Sequence, residues 1–458
     1  MTLLAINWAQ VGLQAVQLLL ALSILVIVHE FGHYITAKWF KCRVEKFYLF
    51  FDPWFSLFKK KIGETVYGIG WLPLGGYVKI SGMVDESMDK EQMKQPPKPW
   101  EFRSKPAWQR LIIMVGGVTM NVLLAFLIYS MILFTWGEKK VPVSSMKYGL
   151  AFSDSLMFEL GFKNGDKILA VGDRTIDDYT DIVPQLILGG TVKVERDGKM
   201  EAITLPVDLI GQLVEKRRSR ITLLEPRIPV VAKIVADTGN AFKAGLKPGD
   251  KILSVNNTPA QFFDQFSSML GDNKGKNIEV GVLRGNDTVR FQAPVNDNGQ
   301  LGFVLAGSIT DLDSLGVLKL NVINYGFFES FPAGVKFAGK KLKYYIDQFK
   351  LILSPKTGAY KGVGGFKAMG SVFPNTGWDW EGFWNITAFF SLALAFMNLL
   401  PIPALDGGHV LFTLVEMISG RKPSDKFLEY AQIVGMVILF SLLIYANFND
   451  WFGWGRTR

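Results

Sequence analysis

Residues 16–33 read VQLLLALSILVIVHEFGH, an apolar run interrupted only by Gln17 and Ser23 that leads straight into His29-Glu30-Phe31-Gly32-His33. On a helix, positions i and i+4 share a face. His29 and His33 can therefore offer both imidazoles to one Zn²⁺, which binds such nitrogens at about 2.0–2.1 Å. Glu30 stands beside that face, in reach of a water whose pKa the metal lowers towards about 7. There it can take a proton and pass it to a leaving amine. The only other histidine is His409. Ionisable groups are costly within lipid and functional by default, so this motif on an apolar stretch outweighs a chance match.

Working outward, the stretch extends from about Leu13 to Trp39, longer than the roughly 20 residues a bilayer requires. We read it as a membrane span and not as a secretory leader. The first charge is Glu30, and no small-residue cleavage site follows the apolar run. Three further spans are expected near Leu111–Trp136, Phe383–Leu400 and Ile433–Phe448. The composition agrees. Of 458 residues, 49% are hydrophobic and only 20% charged, below the usual quarter. A disordered chain is excluded, and one cysteine, Cys42, excludes an intrachain disulfide. The net charge of +9 suits a membrane surface; no nucleic-acid-binding motif is present, so no nucleic acid partner is expected. Lys41, Arg43, Lys46, Lys59, Lys60, Lys61, Lys79, Arg103, Lys105 and Arg110 lie between spans one and two. Arg421, Lys422 and Lys426 lie between spans three and four. By the positive-inside rule both segments are cytoplasmic, so both termini and residues 137–380 lie outside.

Zinc in a catalytic site needs a third protein donor and an open position. The third span ends in Asn398-Leu399-Leu400-Pro401-Ile402-Pro403-Ala404-Leu405-Asp406-Gly407-Gly408-His409. Two prolines break the helix, and Gly407-Gly408 allow a tight turn. Freed backbone groups are tolerated at membrane depth only where they face protein or water. Asp406 is then an inward carboxylate and a candidate third donor, with His409 as its rival.

The outer segment repeats itself. Gly161-Phe162-Lys163-Asn164-Gly165-Asp166-Lys167-Ile168-Leu169 returns as Gly245-Leu246-Lys247-Pro248-Gly249-Asp250-Lys251-Ile252-Leu253. Each copy continues into an apolar alternation, a polar turn and a strand ending in a hairpin-type turn, TVKVERDGK or IEVGVLRGN. A period of roughly 80 residues exceeds any solenoid unit and indicates two tandem small domains. Then FPAGVKFAGKKLKYYIDQFKLIL (331–353) alternates apolar and basic residues at helical spacing, suiting a helix on a membrane surface. Residues 356–365 read as a flexible link.

Taken together, the HEFGH stretch, NLLPIPALDGG, PLGGYVKISGM (73–83) and FRSKPAWQRLIIMVGGVTMN (102–121) resemble the intramembrane site-2 metalloproteases of the bacterial regulator-of-sigma-E type. AGLKPGDKILSVN resembles a PDZ domain in the permuted bacterial form. The resemblance implies a polytopic α-helical membrane protein of about four transmembrane helices, with a membrane-associated β-hairpin and two periplasmic PDZ-like α/β domains. Residues 1–136 would hold spans one and two with the hairpin region, 137–222 and 223–308 the PDZ-like domains, 309–380 the amphipathic helix and linker, and 381–458 spans three and four. The activity implied is that of a zinc metalloendopeptidase of a bacterial inner membrane. Its substrates would be transmembrane proteins such as an anti-sigma factor and remnant signal peptides. Carried over by motif, His29, His33 and Asp406 would bind Zn²⁺, Glu30 would be the general base and Asn398 would hold the substrate strand. Residues 117–121 would pack span two closely against the core. A hairpin of Glu64–Trp71 and Tyr77–Ile80 around Gly75 and Gly76 would receive the unwound substrate by strand addition, with Gly75, Gly76 and Tyr77 positioning it. PDZ grooves take extended peptides, but these copies also fit the part of spacers or size filters.

Overall fold

Asn7 opens helix α1 (Trp8–Trp39), its side chain accepting from the Gln10 backbone N–H at 3.3 Å. That bond satisfies one of the donors that every helix start leaves open. The computed structural model describes residues 7–73, 75–83, 95–215 and 223–453. Leu74, in the expected turn, and 216–222, at the expected boundary between the repeats, lie outside the described residues, as do both terminal stretches. Two units are resolved, one built from the described residues of 7–137, 324–350 and 361–453, the other from those of 138–323 and 351–360.

In the first unit α1 is followed by a four-stranded sheet and then by α2 (Ala107–Trp136), α3 (Phe327–Leu353), α4 (Trp380–Leu399), α5 (Asp406–Ser419) and α6 (Asp425–Phe452). Among the described residues four helices are long and apolar enough to cross a membrane: α1, α2, α4 and the Lys426–Phe452 stretch of α6. They outrun the expected apolar centres by up to two turns, because helical hydrogen bonding continues where hydropathy falls. Helices α1 and α2 cross at Gly32 and Gly116. A Cβ on Gly116 would lie 2.7 Å from the Gly32 carbonyl oxygen and 2.8 Å from Thr36 Oγ1, so only glycine permits this approach. On α3, Ala338 is buried with Tyr129 and Ile132 of α2 and with Ala388 and Leu392 of α4. The basic helix expected at 331–353 thus has one face taken by two spans. At the end of α6, Asn449 donates to the carbonyls of Lys361 and Val363 at 2.8 and 2.6 Å, and Asp450 accepts from the backbone of Lys367 and Ala368. The link expected at 356–365 is therefore held. Thr357, in the other unit, is buried and donates to Leu351 and Ser354 carbonyls.

The sheet of this unit corrects the sequence reading. Strands β1 (Val44–Leu49), β2 (Phe51–Ile62), β3 (Thr65–Leu72) and β4 (Tyr77–Ile80) lie in the order β2-β3-β1-β4. The expected hairpin of Glu64–Trp71 with Tyr77–Ile80 is absent, because β1 sits between the two strands, parallel to β3 and antiparallel to β4. The hairpin that does form joins β2 to β3 through Gly63-Glu64. Local sequence favoured the shorter connection; β1, Val44 and Tyr48 buried, supplies the better apolar partner for both. On β2 the chain bulges between Phe51 and Ser56, and Trp54 and Phe55 stack on Trp71 with Trp54 left 91% exposed. Among the described residues β4 pairs only with β1, and no described strand lies on its other edge.

The second unit carries the repeat as structure. Strands β5 (Lys167–Val171), β6 (Arg174–Thr175), β7 (Gly190–Arg196) and β8 (Lys199–Leu205) form one sheet. Strands β9 (Lys251–Val255), β10 (Thr258–Pro259), β11 (Asn277–Arg284) and β12 (Asp287–Pro294) form another with the corresponding order. The Gly-Asp of each copy has the same job. Asp166 is fully buried and takes Arg196 at 2.7 and 2.8 Å; Asp250 takes Arg284 at 2.8 and 2.7 Å. Each carboxylate also accepts from the backbone of Lys163 or Lys247. Separate apolar cores fill the two copies, around Ile168 and Val192 in one and Ile252 and Val280 in the other. Leu312, Val317 and Leu318, in the stretch assigned to the linker, complete the first core.

Candidate metal centre

The two imidazoles of the HEFGH motif are brought together by helix geometry alone, one turn apart on the buried face of α1. Their Nε2 atoms lie 3.3 Å apart. The third donor arrives from the break after α4. The chain turns through Pro401–Leu405, with Ala404 at φ 78°, and Asp406 is the first residue of α5. Asp406 Oδ2 stands 3.1 Å from His29 Nε2 and 3.3 Å from His33 Nε2. Gly407 and Gly408 are not the turn. They form the first helical turn of α5, where a Cβ on Gly408 would meet the Ile402 carbonyl at 2.7 Å and one on Gly407 the carbonyls of Leu399 and Leu400. The glycines are needed for this folding back, while the left-handed residue is Ala404. Its N–H donates to buried Gln432 of α6 at 3.1 Å.

The chemistry of the three donors fits a cation. His33 Nδ1 lies 2.8 Å from the carbonyl oxygen of Ile113 on α2. A carbonyl carries no hydrogen, so Nδ1 donates, and neutral His33 keeps a lone pair on Nε2. That lone pair faces the buried Asp406 Oδ2, which has no hydrogen-bond donor. Lone pairs so converged repel unless a cation stands among them. A tetrahedron about zinc with bonds of 2.0–2.1 Å has edges of roughly 3.3–3.4 Å; the three observed separations are 3.1, 3.3 and 3.3 Å. His29, His33 and Asp406 form the one metal-competent group of this kind among the described residues, and it does not include His409. His409 instead borders a cleft with Arg110, Phe412 and Glu416.

Around this triangle stand the remaining sequence candidates. Asn398 Nδ2 is 3.2 Å from His29 Nε2. Glu30 lies next to His29 on α1, and the backbone of Val78 on β4 is in hydrogen-bonding reach of its carboxylate. A Cβ on Gly76 would come within 3.4 Å of Glu30 Cγ and 2.7 Å of the Tyr48 carbonyl, so the start of β4 runs tight against Glu30. Gly75 has φ 145°, open to glycine. The Tyr77 hydroxyl is committed elsewhere, donating to Asp52 Oδ1 at 2.7 Å while its ring stacks on Tyr48. Three groups on α2 meet the imidazoles in ways not assigned from sequence, which gave residues 117–121 only a packing role: the Ile113 carbonyl, Gly117 and Asn121. Gly117 lies so close to both imidazoles that no side chain fits there, and Asn121 reaches His29 Nδ1 at 3.2 Å. The spacing Gly117-x-x-x-Asn121, one face of an apolar run with an amide in its middle, was the available signal.

Comparison with known proteins places this centre in context. The profile described as Peptidase family M50 matches residues 17–442. A protein of Treponema pallidum (strain Nichols), named as a zinc metalloprotease, is 28% identical over 94% of this chain and 96% of its own length. The Regulator of sigma-E protease RseP of Escherichia coli (strain K12) is 28% identical over 94% of this chain and 97% of its own. The Regulator of sigma E protease of Haemophilus influenzae is 26% identical over the same shares. With its paired histidines and distant aspartate meeting among membrane-length helices, the chain belongs to peptidase family M50, the site-2 proteases, and is an intramembrane zinc metalloprotease.

Proposed function

We propose that this protease sits in a bacterial inner membrane with both termini periplasmic, and that it cuts the membrane-spanning segments of substrates such as anti-sigma factors and remnant signal peptides. The Lys and Arg bias supports the orientation. Trp8, Trp136, Trp380 and Trp451 lie at the helix ends assigned to the outer face and Trp39 and Trp108 at the inner, as aromatic belts at both interfaces would place them. Kinship with the two sigma-E regulators above supports membrane-embedded protein substrates, and the family resemblance of the motifs supplies the narrower choice. Residues 137–222 and 223–308 would be PDZ-like domains, the second more closely patterned, and 309–380 the segment leading back to the membrane.

In this reading His29, His33 and Asp406 hold Zn²⁺. The metal supplies Lewis acidity towards the scissile carbonyl and makes water more acidic. Glu30 takes the proton of the attacking water and delivers it to the leaving amine. Asn398 donates its amide hydrogens to the substrate carbonyl, 3.2 Å being its separation from the ligand atom of His29. A substrate helix hides its peptide bonds in i to i−4 hydrogen bonds and has to unwind before hydrolysis. The other edge of β4 offers replacement partners by strand addition. Gly75 and Gly76 let the backbone pass Glu30, and Tyr77 keeps the strand start in place through Asp52.

The observation that carries this reading is the convergence of Asp406 on the two imidazoles at 3.1 and 3.3 Å. Glu30→Gln tests it. Zinc content is expected unchanged, with cleavage of a reporter span falling by about 10²–10⁴-fold. A Glu30→Gln protein that cuts at the normal rate, or keeps full cellular function as a mere adaptor would, overturns it.

A further inference from the structure

Asn121 is fully buried on α2, its amide oxygen has no hydrogen-bond partner among the described residues, and its amide nitrogen stands 3.2 Å from Nδ1 of His29. The two ends of a carboxamide have the same shape, so which end faces the ring is decided by hydrogen bonding. His33 shows the pattern: Nδ1 donates to the Ile113 carbonyl, leaving the Nε2 lone pair for the metal. His29 presents Nε2 to the same cluster, 3.1 Å from Asp406 Oδ2. Its lone pair belongs there, so its proton belongs on Nδ1. An amide N–H facing that N–H is repulsive. Turning the carboxamide over gives the orphaned oxygen a donor and His29 an acceptor.

We propose that Asn121 is a positioning residue whose amide oxygen accepts a hydrogen bond from His29 Nδ1–H, fixing the tautomer and ring plane that aim Nε2 at the metal. It is the side-chain counterpart of the Ile113 carbonyl behind His33, so both ligand imidazoles are set from the same helix. Two features hold it in place. Ser391 Oγ donates to the Asn121 backbone carbonyl at 2.7 Å, tying α2 to α4 at this residue. Gly117, one turn earlier, leaves the rings space against α2. The proposal rests on His29 being a zinc ligand.

The test uses the full chain in detergent and reads zinc affinity by competition with a chelator. Asn121→Leu keeps the size and removes the acceptor; Asn121→Asp keeps an acceptor and removes the donor. Affinity is expected about 10–100-fold weaker for N121L and within about threefold of the parent for N121D. Gly339→Ala, on α3 where an added Cβ meets nothing within 4 Å, is expected to leave zinc affinity unchanged. N121L binding zinc as tightly as the parent overturns the proposal, as does N121D weakened as much as N121L, since the amide would then be acting as donor. If N121L fails to fold, N121D against the parent still decides between oxygen and nitrogen facing the ring. A parent protein that binds no zinc would sink the ligand reading itself, a result separate from any difference among the variants.

Discussion

Gly117→Ala is the smallest change that should empty the metal centre. A Cβ at this position would lie 2.8 Å from Cε1 and 2.9 Å from Nε2 of His29, and closer still to Nε2 of His33. Non-bonded heavy atoms settle at about 3.5 Å or more, so His29 Nε2 would retreat by roughly 0.6 Å and His33 by more. Metal–ligand distances tolerate only about 0.2 Å. Moving α2 away instead would open the Gly32–Gly116 crossing and stretch the His33–Ile113 hydrogen bond. Zinc affinity should therefore fall further than the roughly 10–100-fold that losing an outer hydrogen-bond partner produces. The helix itself should persist, since alanine is favoured over glycine by about 1 kcal/mol in a helix interior. The assay is metal content after chelator dialysis, with cleavage of a reporter span beside it. Gly339→Ala, on α3 with nothing within 4 Å, serves as the control. A Gly117→Ala protein with one zinc per chain and normal cleavage would refute the reasoning.

Asp406→Ala should lower zinc stoichiometry; retention of the metal would return His409 to consideration. Gly76→Val should leave zinc in place yet abolish cleavage, because its side chain would meet Val26 Cγ1 at 2.6 Å and the Tyr48 carbonyl at 2.7 Å; normal turnover would exclude β4 as the substrate strand. For Asp250, burial pushes the carboxyl up, but the Arg284 hydrogen bonds and the Lys247 N–H more than offset this and hold it below its ordinary value of 3.8. Its contribution is thus full above pH 4 or so and lost as pH falls through the lowered value. Asp250→Asn should cost about 1.5–3 kcal/mol at neutral pH, read as lost amide protection across Lys251–Val255. The deficit should shrink in acid, and one of equal size at pH 2 would contradict the pairing.

Helices and chemistry were the legible parts of this sequence. Apolar runs of bilayer length have few alternatives, and His29 and His33 need only helical spacing to meet. The Gly-Asp of the repeat was visible, though its reason, the pairing of the buried carboxylate with Arg196 or Arg284, lies at the end of a later strand. Strand pairing was not legible. Tyr77–Ile80 follows Thr65–Leu72 so closely that a hairpin is the natural reading, whereas β1 intervenes because sheet order is decided by which apolar faces bury together. The same holds for Asn121, Gly117 and Gln432. Each takes its role from contact with a residue between 28 and 92 positions away, a partner that local sequence does not show. The turn at Ala404 was misread as Gly407-Gly408 because glycine signals both a turn and a close approach.

The donor triangle also has a consequence in time. A ribosome delivers His29 and His33 together, but Asp406 follows only about 370 residues later. Until the proline-broken segment docks against the first helix, the nascent polypeptide holds two imidazoles and no complete hydrolytic centre. Order of synthesis thus delays activation until the segment carrying Asp406 has been made and docked.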